Sequence, residues 1–513
     1  MAYRWEKEDE EDVLVIDGWE GIASDPYSGM NYMLGVSLET PGEVAVGYPI
    51  TASTISGATI GKPIARSTRF FPTYGTPVGI PSGSAVSYAI LDDGGQVFEA
   101  TSITGTFTFL SSSNSTTGSS NKDGIAHWLG YLWKFRNNAI DYWNGTTWVT
   151  GWDPTTGGTG GTPLDSGVKH FGYVASNNQL YITNGNTIAR IFAPTPASFD
   201  PTNTATYDFN AEILALPVTD SSLSLAEVGG GSSPQSTLLI GGSQNAIYPW
   251  DKISTSFGLP IYVADGYIGK MISVNQNAFI FPGNTGGRGR IYITNGSQAD
   301  LFYKVPDYIF GYQEPYFEWG DAIYHRNELI FGMFPTTNSS VHIQNFTYVW
   351  ALNLATKKFR AISPITAGSQ FDNYANVLIA AVNPSTAGFS YILGWSGTGG
   401  TYGIGYSGTA AGTGSASILT DKIPIGTFLQ KQTFTQVEFK LRSPLKSGES
   451  ITMTPYVDDT LSTSLSFQPT VTTGSISGVA NVTFQGNQWL QFIVNLTGAN
   501  AESGVRLKEI RIR

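Results

Sequence analysis

The chain has 513 residues, a net charge of -11, no cysteine, 60 glycines, 26 prolines, and charged and aromatic contents of 13% each. Disulfides and thiolate metal sites are excluded, and tight wrapping around nucleic acid is disfavoured because phosphate binding needs dense Lys and Arg on one face. Low charge with abundant turn formers points to an all-β protein, and this length requires several domains, a repeat or a large closed β architecture.

The chain opens on the acidic run MAYRWEKEDEED, followed by a short apolar stretch at 13–16. An export signal begins basic, so none is expected. The apolar stretch at 377–382 is far shorter than the roughly twenty residues of a membrane helix, and no membrane insertion is expected. Residues 1–60, with turn signals every few positions, read as an extended N-terminal arm whose acidic residues 6–12 form a solvated tail. GATIGKP at 57–63 is one spacer short of a phosphate loop and carries Pro63 where the magnesium-binding hydroxyl belongs, so it is rejected. Lys62, Arg66 and Arg69 in GKPIARSTRFF are too sparse for nucleic-acid recognition and read as an assembly contact or a solvated loop.

Residues 61–417 read as a β-propeller of about six or seven irregular blades. A short strand, a Gly/Asn/Asp turn and an answering strand recur, as in AVSYAILDDGGQVFEAT at 85–101 and LGYLWKFRNNAIDYWNGTTWV at 129–149. Taking Ile140, Leu180, Leu239, Ile291, Val349 and Tyr391 as equivalent, the steps are 40, 59, 52, 58 and 42 residues. They bracket the roughly 40–50 residues of a four-stranded blade. YITNG occurs at 181–185 and again at 292–296. Its alternating strand runs into Asn-Gly, a strong tight-turn signal, and the two copies read as the same blade strand with its turn, needing no ligand. The Ser/Thr/Gly tracts at 111–120, 155–162 and 397–417 read as loops, and GNTGGRGR at 283–290 as a hairpin loop.

Two aromatic concentrations are candidate sites. Trp128, Trp133, Trp143, Trp148 and Trp152 either pack between blades or present a stacking face for carbohydrate. In QEPYFEWGDAIYHRNE, the carboxylates Glu314, Glu318, Asp321 and Glu328 lie among aromatics, the composition of a glycosidase site; Glu318 and Asp321 are the catalytic pair of that alternative. His127, His170, His325 and His342 lie far apart without metal-ligand spacing, and GWSGTG at 394–399 is not a nucleophile elbow. No catalytic residue, metal or cofactor is expected in the leading reading.

Residues 418–513 read as a compact β-sandwich or barrel. Val437, Phe439 and Leu441 alternate with Glu438, Lys440 and Arg442, and Leu490, Phe492, Val494 and Leu496 repeat the pattern, as in half-buried antiparallel strands. The closing VRLKEIRIR shifts phase near Glu509, as at a bulge.

The arm sequence GMNYMLGVSLETPGEV, with Asn31, Met33, Pro41 and Gly42, the propeller-type hairpins and the terminal GVRLKEIRIR together resemble the tail nozzle or DNA-stabilisation proteins of short-tailed bacteriophages. The resemblance implies a non-enzymatic virion protein that forms a ring, a hexamer in that family. Such a ring lies below portal and adaptor, in the tail of the virion after assembly in the host cytoplasm, and DNA passes through it without specific binding. A host-receptor or carbohydrate-binding virion protein and a propeller glycosidase are the alternatives.

Overall fold

The computed structural model describes residues 2–8, 11–17, 19, 32–34, 36–37, 44–46, 50–62, 64–70, 87–102, 105–110, 123–229, 236–283, 289–305, 315–316, 322–325, 327–332, 334–335, 349–361, 371–382, 389–397, 401–407, 413–420, 422–425, 432–458, 460–461, 476–486, 488–499 and 505–513. Among them are β-strands and two short 3-10 turns, with no α-helix. The chain is an all-β propeller joined to a β-sandwich.

Seven strands line the propeller axis: Ile64–Phe70, Gly124–Trp128, Gly172–Val174, Ser222–Val228, Tyr267–Val274, Ala322–His325 and Phe371–Val382. Each touches the next, and the last touches the first, so the ring is closed. They begin at 64, 124, 172, 222, 267, 322 and 371, a repeat of 45 to 60 residues. From each inner strand an antiparallel sheet runs outward through successive hairpins. The hairpin expected at 85–101 pairs Ser87–Asp92 with Val97–Ala100, and that at 129–149 pairs Tyr131–Arg136 with Ala139–Trp143. GNTGGRGR lies between the paired strands Asn277–Gly283 and Arg290–Thr294; its residues 284–288 are outside the described set.

The two YITNG copies are strand-plus-hairpin units, with Gly185 at φ 64° and Gly296 at φ 98°. They are not the same strand. Leu180–Asn184 is the second strand of blade three, whereas Arg290–Thr294 is the third of blade five. The reading fails because local strand and turn chemistry is the same at every hairpin of a blade, so a motif match does not fix strand number.

Blade faces are apolar on both sides and meet in separate clusters. Ile125, Leu132, Trp143 and Trp148 pack against Leu91 and Val97 between blades one and two. Trp128, Trp133 and Trp152 pack with Leu180, Ile182, Ile191 and Phe199 between blades two and three. Tyr181, Leu225 and Trp250 occupy the next interface, and Leu239, Ile268 and Tyr292 the one after. Each buried large side chain contributes about 1.5–3 kcal/mol of transfer free energy.

The N-terminal segment is distributed over both bodies. Ala2–Glu8 and Glu11–Asp17 form a hairpin, and Glu11–Asp17 pairs with the C-terminal strand Arg506–Ile512. The described residues of the acidic run, 6–8 and 11–12, thus lie in the two paired strands rather than in a solvated tail, because Val13, Leu14, Val15 and Ile16 are fully buried and hold them down. Ile50–Ala52 pairs with Thr401–Ser407 and completes blade seven. Leu34, in Tyr32–Leu34, pairs in parallel with Ala361 of blade six, while the same strand pairs antiparallel with Thr413–Leu419 of the sandwich. One sheet therefore runs from propeller into sandwich.

The sandwich buries Val437, Phe439, Leu441, Leu490, Phe492, Val494 and Leu496 as the alternation requires. A register shift leaves Lys508 as the extra residue opposite Lys440 and Leu441, beside Glu509 where the phase change lies. The tract 397–417 is a correction: it contains the strands Thr401–Ser407 and Thr413–Leu419 rather than a loop. Its small residues fit tight packing, since a Cβ on Gly403 would lie 2.2 Å from the Trp395 ring.

Candidate functional site

The inner strands of blades one to five enclose a cavity of about 100 Å³ near the axis. Arg66, Phe171, Tyr173, Ser224 and Lys270 line it, with backbone from Gly124, Gly172 and Gly269. The Arg66 guanidinium lies 4.3 Å from the Phe171 ring centroid, a cation–π contact that spans from blade one to the lead-in of blade three. The residue is 8% exposed. Burial pushes the Tyr173 phenol up to about 12, so it is a neutral hydrogen-bonding group. Ser224 Oγ accepts from the Met271 amide at 2.9 Å.

This placement corrects the reading of Arg66 as an assembly contact, because a buried side chain lining an axial cavity offers nothing to a neighbouring subunit. Lys62 is exposed at the lead-in to the same strand, and the side chain of Arg69 lies outside the described residues. The structure therefore does not gather the three into one patch.

The five tryptophans do not form a carbohydrate platform. Trp128, Trp133 and Trp152 are at most 1% exposed, Trp143 is 6% and Trp148 is 9%. Blade two divides them between its two faces, so stacking neighbours are protein: Trp133 on Trp152 at 5.2 Å, Trp128 on Phe199 at 4.9 Å and Trp143 on Trp148 at 5.6 Å. The indoles of Trp128, Trp133 and Trp152 donate to backbone carbonyls of Asn178, Trp128 and Pro201. Glu314, Glu318 and Asp321 lie outside the described residues, and Glu328 pairs with Arg360 at 2.8 Å across blade six. His170 is fully buried, with Nδ1 2.9 Å from the Thr183 carbonyl oxygen and Nε2 against that of Asn137. His127 sits on the second inner strand, the side chain of His325 is not described, and His342 lies outside the described residues.

No protein-family model matches the chain, and no curated protein matches it. Solved structures similar to it include the β-propeller domain of Cps50 (Swd1) from Myceliophteria thermophila, at 10% identity and TM-score 0.42, covering 70% of this chain and 100% of that one. YCF48 bound to D1 peptide is similar at 10% identity and TM-score 0.41, covering 72% and 97%. An exo-beta-1,3-galactanase from Phanerochaete chrysosporium with galactose has 13% identity and TM-score 0.26, covering 78% and 97%.

Two buried polar constellations were not foreseen from the sequence. Just before the inner strand of blade four, Asp220 accepts from Tyr248 Oη at 2.7 Å, Ser243 Oγ at 2.8 Å and the amides of Ser221 and Gln244. Just before that of blade five, Asp265 accepts from Tyr292 Oη at 2.5 Å, and Arg290 lies 3.4 Å away. Both tyrosines are on the third strand, so the same device recurs within blade four and within blade five. The available signal was an Asp preceding each inner strand, in TDSSLSL and ADGYIGKM.

The second constellation joins blades three and four. Glu227 Oε1 accepts from Lys252 Nζ and Ser236 Oγ at 2.5 Å each and from Ser176 Oγ at 2.8 Å, while the Ser176 amide donates to Oε2. Lys252 Nζ also lies 2.6 Å from Ser236 Oγ. The group is an inter-blade clamp, since Ser176 of blade three and Ser236 and Lys252 of blade four all bond to the one carboxylate.

Proposed function

We propose that the chain is a structural component of a bacteriophage tail, a nozzle or tube-end protein that assembles as a ring below portal and adaptor and contributes to the genome conduit or plug. The observation that supports this reading is the strand-for-strand fusion of propeller and sandwich. Blade six continues through Tyr32–Leu34 into the sandwich sheet, and residues 2–17 and 50–52 belong to one body each. A ring component must hold its bodies at a set angle, and a continuous hydrogen-bonded sheet does so where a flexible linker does not.

The sandwich also offers surfaces suited to assembly. Among the described residues, Ala2–Glu8 and Ser477–Gly486 are the terminal strands of one sheet. Tyr3 and Trp5 on the first, and Ile476 and Val479 beside or on the second, are 37–58% exposed. Edge strands with apolar side chains are templates for pairing with another chain. The charge of -11 disfavours gripping of DNA, which suits a passage that DNA traverses. The hexameric state rests on the family resemblance.

Negative-stain imaging of the purified full chain, alone and mixed with portal–adaptor complex, tests the reading. Rings, or a ring capping the complex, are expected. A monomer that neither self-assembles nor binds the complex sinks it.

A further inference from the structure

The axial cavity coincides with a repeated irregularity of the inner strands. In blade one, Ile64 opposes Asp92 and Arg66 opposes Leu91, so Ala65 is an extra residue. In blade four, Ser222 and Ser224 oppose the adjacent Gly242 and Gly241, leaving Leu223 extra. In blade five, Ile268 and Lys270 oppose the adjacent Pro282 and Phe281, leaving Gly269 extra. A bulge of this kind bends the strand and re-aims the side chain that follows it, and bulges concentrate beside functional sites. The residues that follow are Arg66, Ser224 and Lys270, and all three line the one cavity. The inner strands of blades two and three pair without a shift and present Gly124 and Gly172 there.

We propose that this cavity is a binding site for one small oxyanion of the phosphate or sulfate kind, held by the Arg66 guanidinium, the Lys270 ammonium and the Ser224 hydroxyl. Arginine and lysine side chains only donate, and the guanidinium fork matches two oxygens of an oxyanion. Phe171 backs that fork, with its ring centroid 4.3 Å from the guanidinium carbon. Ser224 Oγ accepts from Met271, so its own proton is available to donate to the anion. The low dielectric of the propeller interior strengthens these contacts relative to water. A cavity of about 100 Å³ accommodates an ion of this size in place of water.

Thermal unfolding of the full chain in sodium phosphate and in sodium chloride, at matched pH and ionic strength, is the first measurement, followed by equilibrium dialysis with inorganic phosphate. Saturable stabilisation by phosphate is expected. Lys270→Met, at a half-buried position that tolerates an apolar side chain, lowers phosphate affinity about tenfold or more, whereas Lys62→Met on the exposed lead-in leaves it unchanged. Equal unfolding temperatures in the two salts overturn the proposal. So does a phosphate effect of the same size in Lys270→Met, which would mark general salt exclusion from the surface.

Discussion

At the residue scale, buried polar groups carry the sharpest consequences. Asp220 is 2% exposed and ringed by donors. Tyr248→Phe keeps the ring but removes the 2.7 Å donor, leaving a buried carboxylate short of one partner, at a cost of about 1–3 kcal/mol. Urea denaturation of the variant against the parent chain measures this, and an unchanged midpoint would mean that the lock contributes nothing. Two other groups make stability depend on pH in opposite senses. Burial raises the Asp92 carboxyl from 3.8 to about 6, although the Gln96 and Gly94 amides donate to it. The folded chain thus holds that proton more tightly than the unfolded one, and the stabilisation is lost as pH rises from about 4 to about 6. Burial lowers His127 from 6.5 to about 4, so its contribution is present above 6.5 and lost as pH falls toward 4. The opposition masks both in the parent chain. Asp92→Asn therefore gains stability over the parent on going from about pH 4 to about pH 7, on the order of 1–3 kcal/mol, and His127→Asn removes the acid-side loss. Denaturation midpoints across that range check both, and a parallel profile for either variant rejects its part.

At the element scale, blades are held apart by backbone as much as by side chains. A Cβ on Gly124 would lie 2.2 Å from the carbonyl oxygen of His170, which belongs to the lead-in of blade three. Backbone cannot step aside as a side-chain tip can, so Gly124→Ala forces the two blades apart. The expected loss is about 1–3 kcal/mol or more, against no loss for Gly61→Ala, where a Cβ meets nothing within 4 Å. Comparing the two by thermal unfolding separates packing from any general cost of replacing glycine. The YITNG hairpins teach the complementary lesson. Their turns need Gly185 and Gly296 at positive φ, but the same turn serves different strands of blades three and five.

At the scale of the whole molecule, the N-terminal segment determines cohesion. Trp19 is fully buried, its indole donates to the Lys508 carbonyl at 3.0 Å, and its own carbonyl accepts from Lys358 Nζ at 3.2 Å. One residue thus ties the arm to the terminal strand and to blade six. Closure of the propeller joins the strand Ile50–Ala52, zipped to Thr401–Ser407, to the packing of Ile64, Tyr88 and Ile90 on Ile392 and Ile404. Because the chain has no cysteine, Thr51→Cys with Tyr406→Cys, at directly paired positions, adds one disulfide without competing thiols. Oxidation is expected to stabilise the double variant by about 2–4 kcal/mol, read as a rise in unfolding temperature abolished by reductant. An oxidised form no more stable than the reduced one shows that ring closure does not limit unfolding.

What the amino-acid sequence determined by itself was the local and the periodic. Alternation at Val437, Phe439 and Leu441 and at Leu490 to Leu496, the hairpin turns, and the repeat length of a blade follow from side-chain direction and backbone preference. These act over a few residues and need no partner to be read. Tertiary structure alone decided which strand of a blade each hairpin supplied and where the arm went. It also decided that the five tryptophans face other blades and that Arg66, Ser224 and Lys270 meet at one cavity. Those three lie as much as 204 residues apart and converge only because three inner strands carry a bulge at the same place around a closed ring. Such convergence is set by long-range packing and has no signature within any short stretch of chain.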